Sequence, residues 1–263
     1  MKIGVNEVHL WLTICHAEWD TRLLERYRGV MNDDERRQAR RFVHAADTHR
    51  YVTTRALART VLARYLDTDA STLQFETSEF GRPFVRGIAP EALSFNLSHT
   101  RELVVCVVAR GGSVGVDTES LLQAPAPLEV ASEYFAPPEV RAIRHLPSEL
   151  RHRRFYETWT LKEAYIKAVG KGLAIPLDAF HFNLGGSGKV LPSFSSRLCE
   201  SPSKCHFWML SGPSDHLISI CMRGPEDAPQ LTKQVRIVPL RSEYPWECSV
   251  LRTSADLDIM VAR

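Results

Sequence analysis

The sequence predicts an α+β fold of two similar halves, each a long helix packed on a small antiparallel sheet. Three observations predict it. Short β-branched and aromatic runs alternate with two longer stretches of helical periodicity. The second half repeats the order of the first. A single offset of 107 residues carries Arg55 onto Lys162, Leu73 onto Phe180, Phe75 onto Phe182, Gly81 onto Gly188 and Arg82 onto Lys189. Fused copies of one unit leave a pseudo-twofold interface, a natural place for a cleft. The expected units are residues 1–112, residues 113–225 and a C-terminal extension, 226–263.

The elements follow in order. Val8 to Ile14 reads as an opening strand, and Asn32-Asp33-Asp34-Glu35 as the acidic start of a helix through Arg36 to Phe42. Tyr51, Leu57, Val61, Leu62 and Tyr65 form a helical apolar stripe on an arginine-rich background. Leu73 to Phe75 is a strand, Gly81-Arg82-Pro83 a turn, and Leu93 to Asn96 and Leu103 to Ala109 are strands joined by a Ser-His-Thr turn. Gly111-Gly112 breaks the chain before a short strand, Val114 to Asp117, and Ala124-Pro125-Ala126-Pro127 is a stiff connector. In the second half Phe155 to Val169 is a helix stopped by Gly170-Lys171-Gly172. Phe180 to Phe182, Phe207 to Leu210 and Leu217 to Met222 are strands, with a turn at Gly188-Lys189. The tail carries one strand, Val235 to Val238.

Bulk properties exclude several classes. The 263 residues are 44% hydrophobic and 24% charged, with a formal charge of +2, which describes a globular chain without a general polyanion-binding surface. Arginine is nevertheless concentrated at Arg36, Arg37, Arg40, Arg41, Arg50, Arg55, Arg59 and Arg64. That segment reads as a solvated helix face or as a positive wall for an anionic ligand or acidic partner. The six cysteines (Cys15, Cys106, Cys199, Cys205, Cys221, Cys248) have no CxxC spacing, so reduced thiols in the cytoplasm are expected, with no zinc site. No basic stretch followed by an apolar core opens the chain, and Leu103 to Ala109 is too short to span a bilayer.

The chemistry concentrates in Gly115-Val116-Asp117-Thr118-Glu119 and Trp159-Thr160-Leu161-Lys162-Glu163-Ala164-Tyr165-Ile166-Lys167. On a strand, residues two apart project from the same face, roughly 7 Å from each other, so Asp117 and Glu119 point together. On a helix, residues four apart are offset by about 40° and rise roughly 6 Å, so Trp159, Glu163 and Lys167 share a face with Lys162 on its flank. Trp159 by itself reads as core. Three carboxylates describe a hard-cation site, and the lysines describe a phosphate or pyrophosphate beside it. Taken alone, Glu163 and Lys167 read equally as a solvated i,i+4 pair. Paired acids directly after an apolar strand shift the balance, because they are costly unless a cation sits there.

With Asn96-Leu97-Ser98-His99 and Gly81-Arg82-Pro83 upstream, these motifs resemble the 4′-phosphopantetheinyl transferases of the larger, two-half monomeric type, over roughly residues 5–225. The resemblance implies that phosphopantetheine passes from coenzyme A to a serine of an apo carrier protein, with release of 3′,5′-ADP. It implies that Asp117, Glu119 and Glu163 hold Mg²⁺ (or Mn²⁺) with the pyrophosphate. Glu163 or a metal-bound water would be the general base, and Lys167 and Lys162 would contact the pyrophosphate. Ser98 and His99 match residues at the 3′-phosphate, Gly81-Arg82-Pro83 the turn along the adenine with arginine where lysine is common, and Arg50 a basic position near the nucleotide. It further implies a monomer whose acidic carrier docks beside the cleft, the arginine-rich segment contributing, with no nucleic acid or membrane partner. Two basic positions expected at the 3′-phosphate fall on Glu35 and Gln38, and Tyr51 stands where a small hydroxyl residue is usual. Arg36, Arg37 or Arg41 would have to substitute.

Other readings remain. Gly185-Gly186-Ser187-Gly188-Lys189 lacks the full phosphate-loop spacing and reads as a hairpin turn. The local acids also fit a Mg²⁺-dependent phosphodiesterase or nuclease. A non-catalytic module binding coenzyme A or a carrier protein would share the fold.

Overall fold

The computed structural model describes residues 1–15, 20–123, 126–186, 188–224 and 229–255. Ala124 and Pro125 of the expected connector, and Ser187 of the glycine-rich turn, lie outside them.

The first half runs β1 (Glu7–Ile14), α1 (Thr21–Gly29), α2 (Asp33–Ala39), α3 (Ala45–Leu66), β2 (Phe75–Thr77), β3 (Pro83–Val85), β4 (Ser94–His99) and β5 (Leu103–Ala109). The second repeats the same order: β6 (Ser113–Ser120), α4 (Leu128–Tyr134), α5 (Pro137–His145), α6 (Ser148–Val169), β7 (Phe180–Asn183), β8 (Leu191–Phe194), β9 (Cys205–Ser211) and β10 (His216–Arg223). The pairing repeats as well, β1-β5-β4 in one sheet and β6-β10-β9 in the other. Two similar halves of the expected α+β kind are therefore present. The single offset does not hold throughout: the long helices start at 45 and 148, the last strands at 103 and 216. Loops of unequal length absorb the drift.

Local chemistry sets the helix ends. Asn32 caps α2, accepting the Glu35 amide while the Glu35 carboxylate accepts the Asn32 amide, a reciprocal capping box. Pro137 occupies the first turn of α5, where its missing donor costs nothing. Gly170 ends α6 with φ +77°, in the left-handed region that favours glycine. The helix expected from Phe155 begins earlier, at Ser148.

Residues 230–253 add three strands to the two sheets. β11 (Gln230–Val238) pairs in parallel with β1, β12 (Ser242–Pro245) pairs with β11, and β13 (Ser249–Thr253) joins β9 in the other sheet. The tail thereby ties both halves together. The outer faces of the two sheets share a core of Val8, Leu10, Leu12, Val105, Val107, Val116, Trp208 and Ile220. α3 packs on the remaining face of the first sheet through Leu57, Val61 and Leu62, and α6 on that of the second through Leu161, Ala164 and Ala168. Cys15, Cys106, Cys205, Cys221 and Cys248 are buried, Cys199 is exposed, and none is paired. Among the described residues no helix is long and apolar enough to cross a membrane.

Candidate active site

The two sheets meet where edge strand β4 lies along edge strand β6, and side chains replace the missing ladder. Ser94, Asn96 and Ser98 alternate on β4 and all point to β6, as the period of two requires. Ser94 Oγ accepts the Val114 amide at 3.1 Å and Asn96 Oδ1 accepts the Val116 amide at 3.1 Å. Ser98 Oγ donates to Asp117 Oδ1 at 2.9 Å. β4 runs through His99, so Ser98 and His99 are strand residues and not the expected turn. β6 likewise extends past the expected end at Asp117 to Ser120, which keeps Asp117 and Glu119 on one face.

α6 lies directly on β6 because Gly115 has no side chain. A Cβ there would sit 2.1 Å from the Ala164 carbonyl oxygen and 2.4 Å from the Ala168 nitrogen. This approach brings Lys167 onto the strand. Its Nζ donates to Asp117 Oδ1 at 2.7 Å and to Ser98 Oγ at 3.1 Å. A glycine within an apolar strand, as at Gly115, signals a close backbone approach.

The carboxylates are unequal. Asp117 is buried, its Oδ1 doubly bonded and its Oδ2 without a hydrogen-bond partner. Burial raises the Glu163 carboxyl above its ordinary pKa, and Asp117 adds to this. Burial also raises Glu119, partly offset by a 3.0 Å bond from Gln123 Nε2. Lys167 is the cation that relieves both acids. Among the described residues no three His, Cys, Asp or Glu side chains form a ready-made metal cluster. The donor chemistry nonetheless fits a hard cation: three carboxylates, one with a buried, unpartnered oxygen.

Beside the acids a cavity of about 260 Å³ opens between the halves, lined by Gly81, Pro83, Asn96, Glu163 and Lys167 among others. His99 and Arg50 are close enough that, after burial, Arg50 is the main influence lowering the histidine pKa. Arg50 itself is held by Asp47 at 2.7 Å.

Three expectations need correction. Lys162 does not face the acids. It is fully buried, and its ammonium donates to the Leu177 and Phe180 carbonyls at 2.8 and 2.7 Å and pairs with Glu139 at 2.8 Å. One residue from Glu163, it is turned about 100° round the helix, enough to carry it into the core. Trp159, expected in the core, is only partly buried and packs on Phe135 and Phe155 at the core's edge. Arg82 lines the cavity, but its guanidinium is not free. It donates to Ala168 O at 2.8 Å, Ser94 Oγ at 2.9 Å and Val114 O at 3.1 Å. Nor is Glu35 a bare acid in place of a missing cation. Its buried carboxylate receives Arg55 Nε at 2.6 Å and Arg59 Nε at 2.7 Å. Arg36 is engaged with Asp33 and Arg37 with Asp34, while Arg41 reaches Gln38 at 3.4 Å.

Known proteins resemble this chain over most of its length. Residues 113–221 match the family described as the 4′-phosphopantetheinyl transferase superfamily, and residues 18–110 match the 4′-phosphopantetheinyl transferase N-terminal family. The chain is 31% identical over 208 residues to 4′-phosphopantetheinyl transferase Sfp of Bacillus subtilis, covering 79% of this chain and 89% of that protein. It is 32% identical over 171 residues to 4′-phosphopantetheinyl transferase HetI of Nostoc sp., covering 64% and 71% respectively.

Proposed function

The chain belongs to the 4′-phosphopantetheinyl transferase family, and we propose that it transfers 4′-phosphopantetheine from coenzyme A to a serine of an apo carrier protein at the Asp117 site, releasing 3′,5′-ADP. The observation that carries this reading is Lys167, whose ammonium joins Ser98 of the first half to Asp117 of the second. One lysine thus gathers both halves' motifs at the mouth of a cavity sized for part of a substrate.

Asp117, Glu119 and Glu163 would hold Mg²⁺, which neutralises charge on the pyrophosphate oxygens when bound. The side chains do the remainder. Ser98 and Lys167 hold the Asp117 carboxylate in one orientation, so the acid pays no reorganisation when substrate arrives. Lys167 exchanges part of its contact with Asp117 for the phosphate that departs on the nucleotide, and its charge favours that departure. Glu163, whose carboxyl burial and Asp117 hold above its ordinary pKa, accepts the proton of the carrier serine hydroxyl. His99 and Arg50 provide polar and cationic groups for the nucleotide end of coenzyme A.

The test is the intact mass of an apo carrier protein incubated with the enzyme, coenzyme A and Mg²⁺. A gain of one phosphopantetheine, suppressed by EDTA, supports the reading. No gain across acyl, aryl and peptidyl carriers, alongside cleavage of nucleic acid or phosphodiesters, would overturn it.

A further inference from the structure

Arg82 carries a consequence for the chemistry that its position in the sequence hides. Its guanidinium touches three elements at once: Ala168 O in the last turn of α6, Ser94 Oγ on β4 and Val114 O on β6. These belong to both halves of the molecule. A planar fork with five donors can span three divergent acceptors, whereas a single ammonium on a flexible stem is a poor match for them.

The surrounding backbone is built around this contact. The Arg82 amide is held by Ser78 Oγ at 3.1 Å, and the Arg82 carbonyl accepts the Ser78 amide at 2.8 Å, which fixes the turn from which the side chain leaves. At the other end, Gly170 leaves room for it. A Cβ on Gly170 would lie 2.9 Å from Arg82 Cδ. Ala168 O is one of the terminal carbonyls that α6 cannot satisfy internally, and a cation at a helix C-terminus is favoured by the helix dipole. Among the described residues no carboxylate is paired with Arg82, so its charge rests on these helix-end and strand carbonyls and on Ser94.

Ala168 follows Lys167 directly. The turn that Arg82 bolts to β4 and β6 is the turn that presents Lys167 to Asp117 and Ser98. We propose that Arg82 is a positioning residue that clamps the end of α6 across the two halves, setting Lys167 and Glu163 against Asp117, and is not a ligand of the nucleotide. The effect on transfer rests on the function proposed above; the clamp itself does not.

Two variants test it: Arg82→Lys, which keeps the charge and loses the fork, and the milder Ser94→Ala, which removes one acceptor and stands in if the first does not fold. Hydrogen exchange at the Gly170 amide, bonded to Ile166 O, reports the clamp without any substrate. It is expected to speed up by about tenfold in Arg82→Lys and less in Ser94→Ala. For transfer, kcat is expected to fall by about tenfold while the KM for coenzyme A stays within about twofold. Affinity for adenosine 3′,5′-bisphosphate is expected to be unchanged. Unaltered exchange at Gly170, or a loss of bisphosphate affinity with kcat intact, overturns the proposal. A wild-type enzyme that transfers nothing fails the functional reading, while the exchange result still decides the clamp.

Discussion

Arg59 and Lys162 occupy the same place in the two halves of the chain. Each is the fifteenth residue of a 22-residue helix, and each is fully buried. Each pairs with a glutamate near the start of a preceding short helix, Arg59 with Glu35 of α2 and Lys162 with Glu139 of α5. Each also donates to two carbonyls at the approach to the small hairpin, Ala70 and Leu73 in one half, Leu177 and Phe180 in the other. This equivalence accounts for two puzzles together. Lys162 serves the fold and not the substrate, and Glu35, like its counterpart Glu139, is the acid of a buried ion pair.

The same registry explains why, among the described residues, the Asp117 site occurs in one half only. Asp117 is the fifth residue of β6 and its counterpart in β1 is Trp11; Glu119 corresponds to Thr13. Glu163 and Lys167 correspond to Thr60 and Arg64. Trp11 is fully buried between Tyr65 and the first core, and β11 covers its strand. The first half keeps the scaffold and lacks the acids.

Breaking either buried pair from one side strands a charge in the core. Lys162→Met is expected to cost about 3–5 kcal/mol, measured by denaturant unfolding. Glu139→Leu beside it should restore most of that loss, because the isolated carboxylate is then gone. If Lys162 instead contacted substrate, Lys162→Met would lower kcat with unfolding unchanged.

Gly115→Ala tests the seat of α6. The added methyl would meet backbone atoms of Ala164 and Ala168, which cannot rotate away. We expect a loss of about 1–3 kcal/mol from overpacking, and transfer reduced far beyond that of a control substitution on the helix surface. Wild-type melting and activity would mean that α6 does not lie on β6 as described.

Glu163 gives a pH-dependent signature. Burial raises its pKa, so in the folded protein ionisation costs stability. That cost is absent below the unfolded-state pKa and complete above the folded-state one. Glu163→Gln therefore melts at a higher temperature than wild type in metal-free buffer at neutral pH, and the difference closes as pH falls through the carboxylate range. A difference that grows on acidification contradicts the assignment. The same variant should lose the stabilisation that Mg²⁺ gives wild type.

Much of this was legible locally. Asp117 with Glu119, and Glu163 with Lys167, share faces because strand and helix periods fix them, and the structure brings Lys167 to Asp117. What the sequence hid was non-local. Lys162 and Arg82 are cations beside the motifs, and only the packing of α5 and of the α6 end decides that their donors are already taken. The acid at 35 made sense only beside Arg55 and Arg59 on another helix. Parallel pairing of β11 with β1 joins segments more than 200 residues apart in the chain, beyond the reach of any local pattern.

The central claim is that phosphopantetheine transfer occurs at Asp117. The most direct measurement is the intact mass of one apo carrier protein treated in parallel with wild type and with Asp117→Asn, at equal melting temperature and saturating coenzyme A and Mg²⁺. The account predicts a gain of one phosphopantetheine with wild type and none with the variant in the same time. An equal gain with both, or no gain with wild type on any carrier, would contradict it.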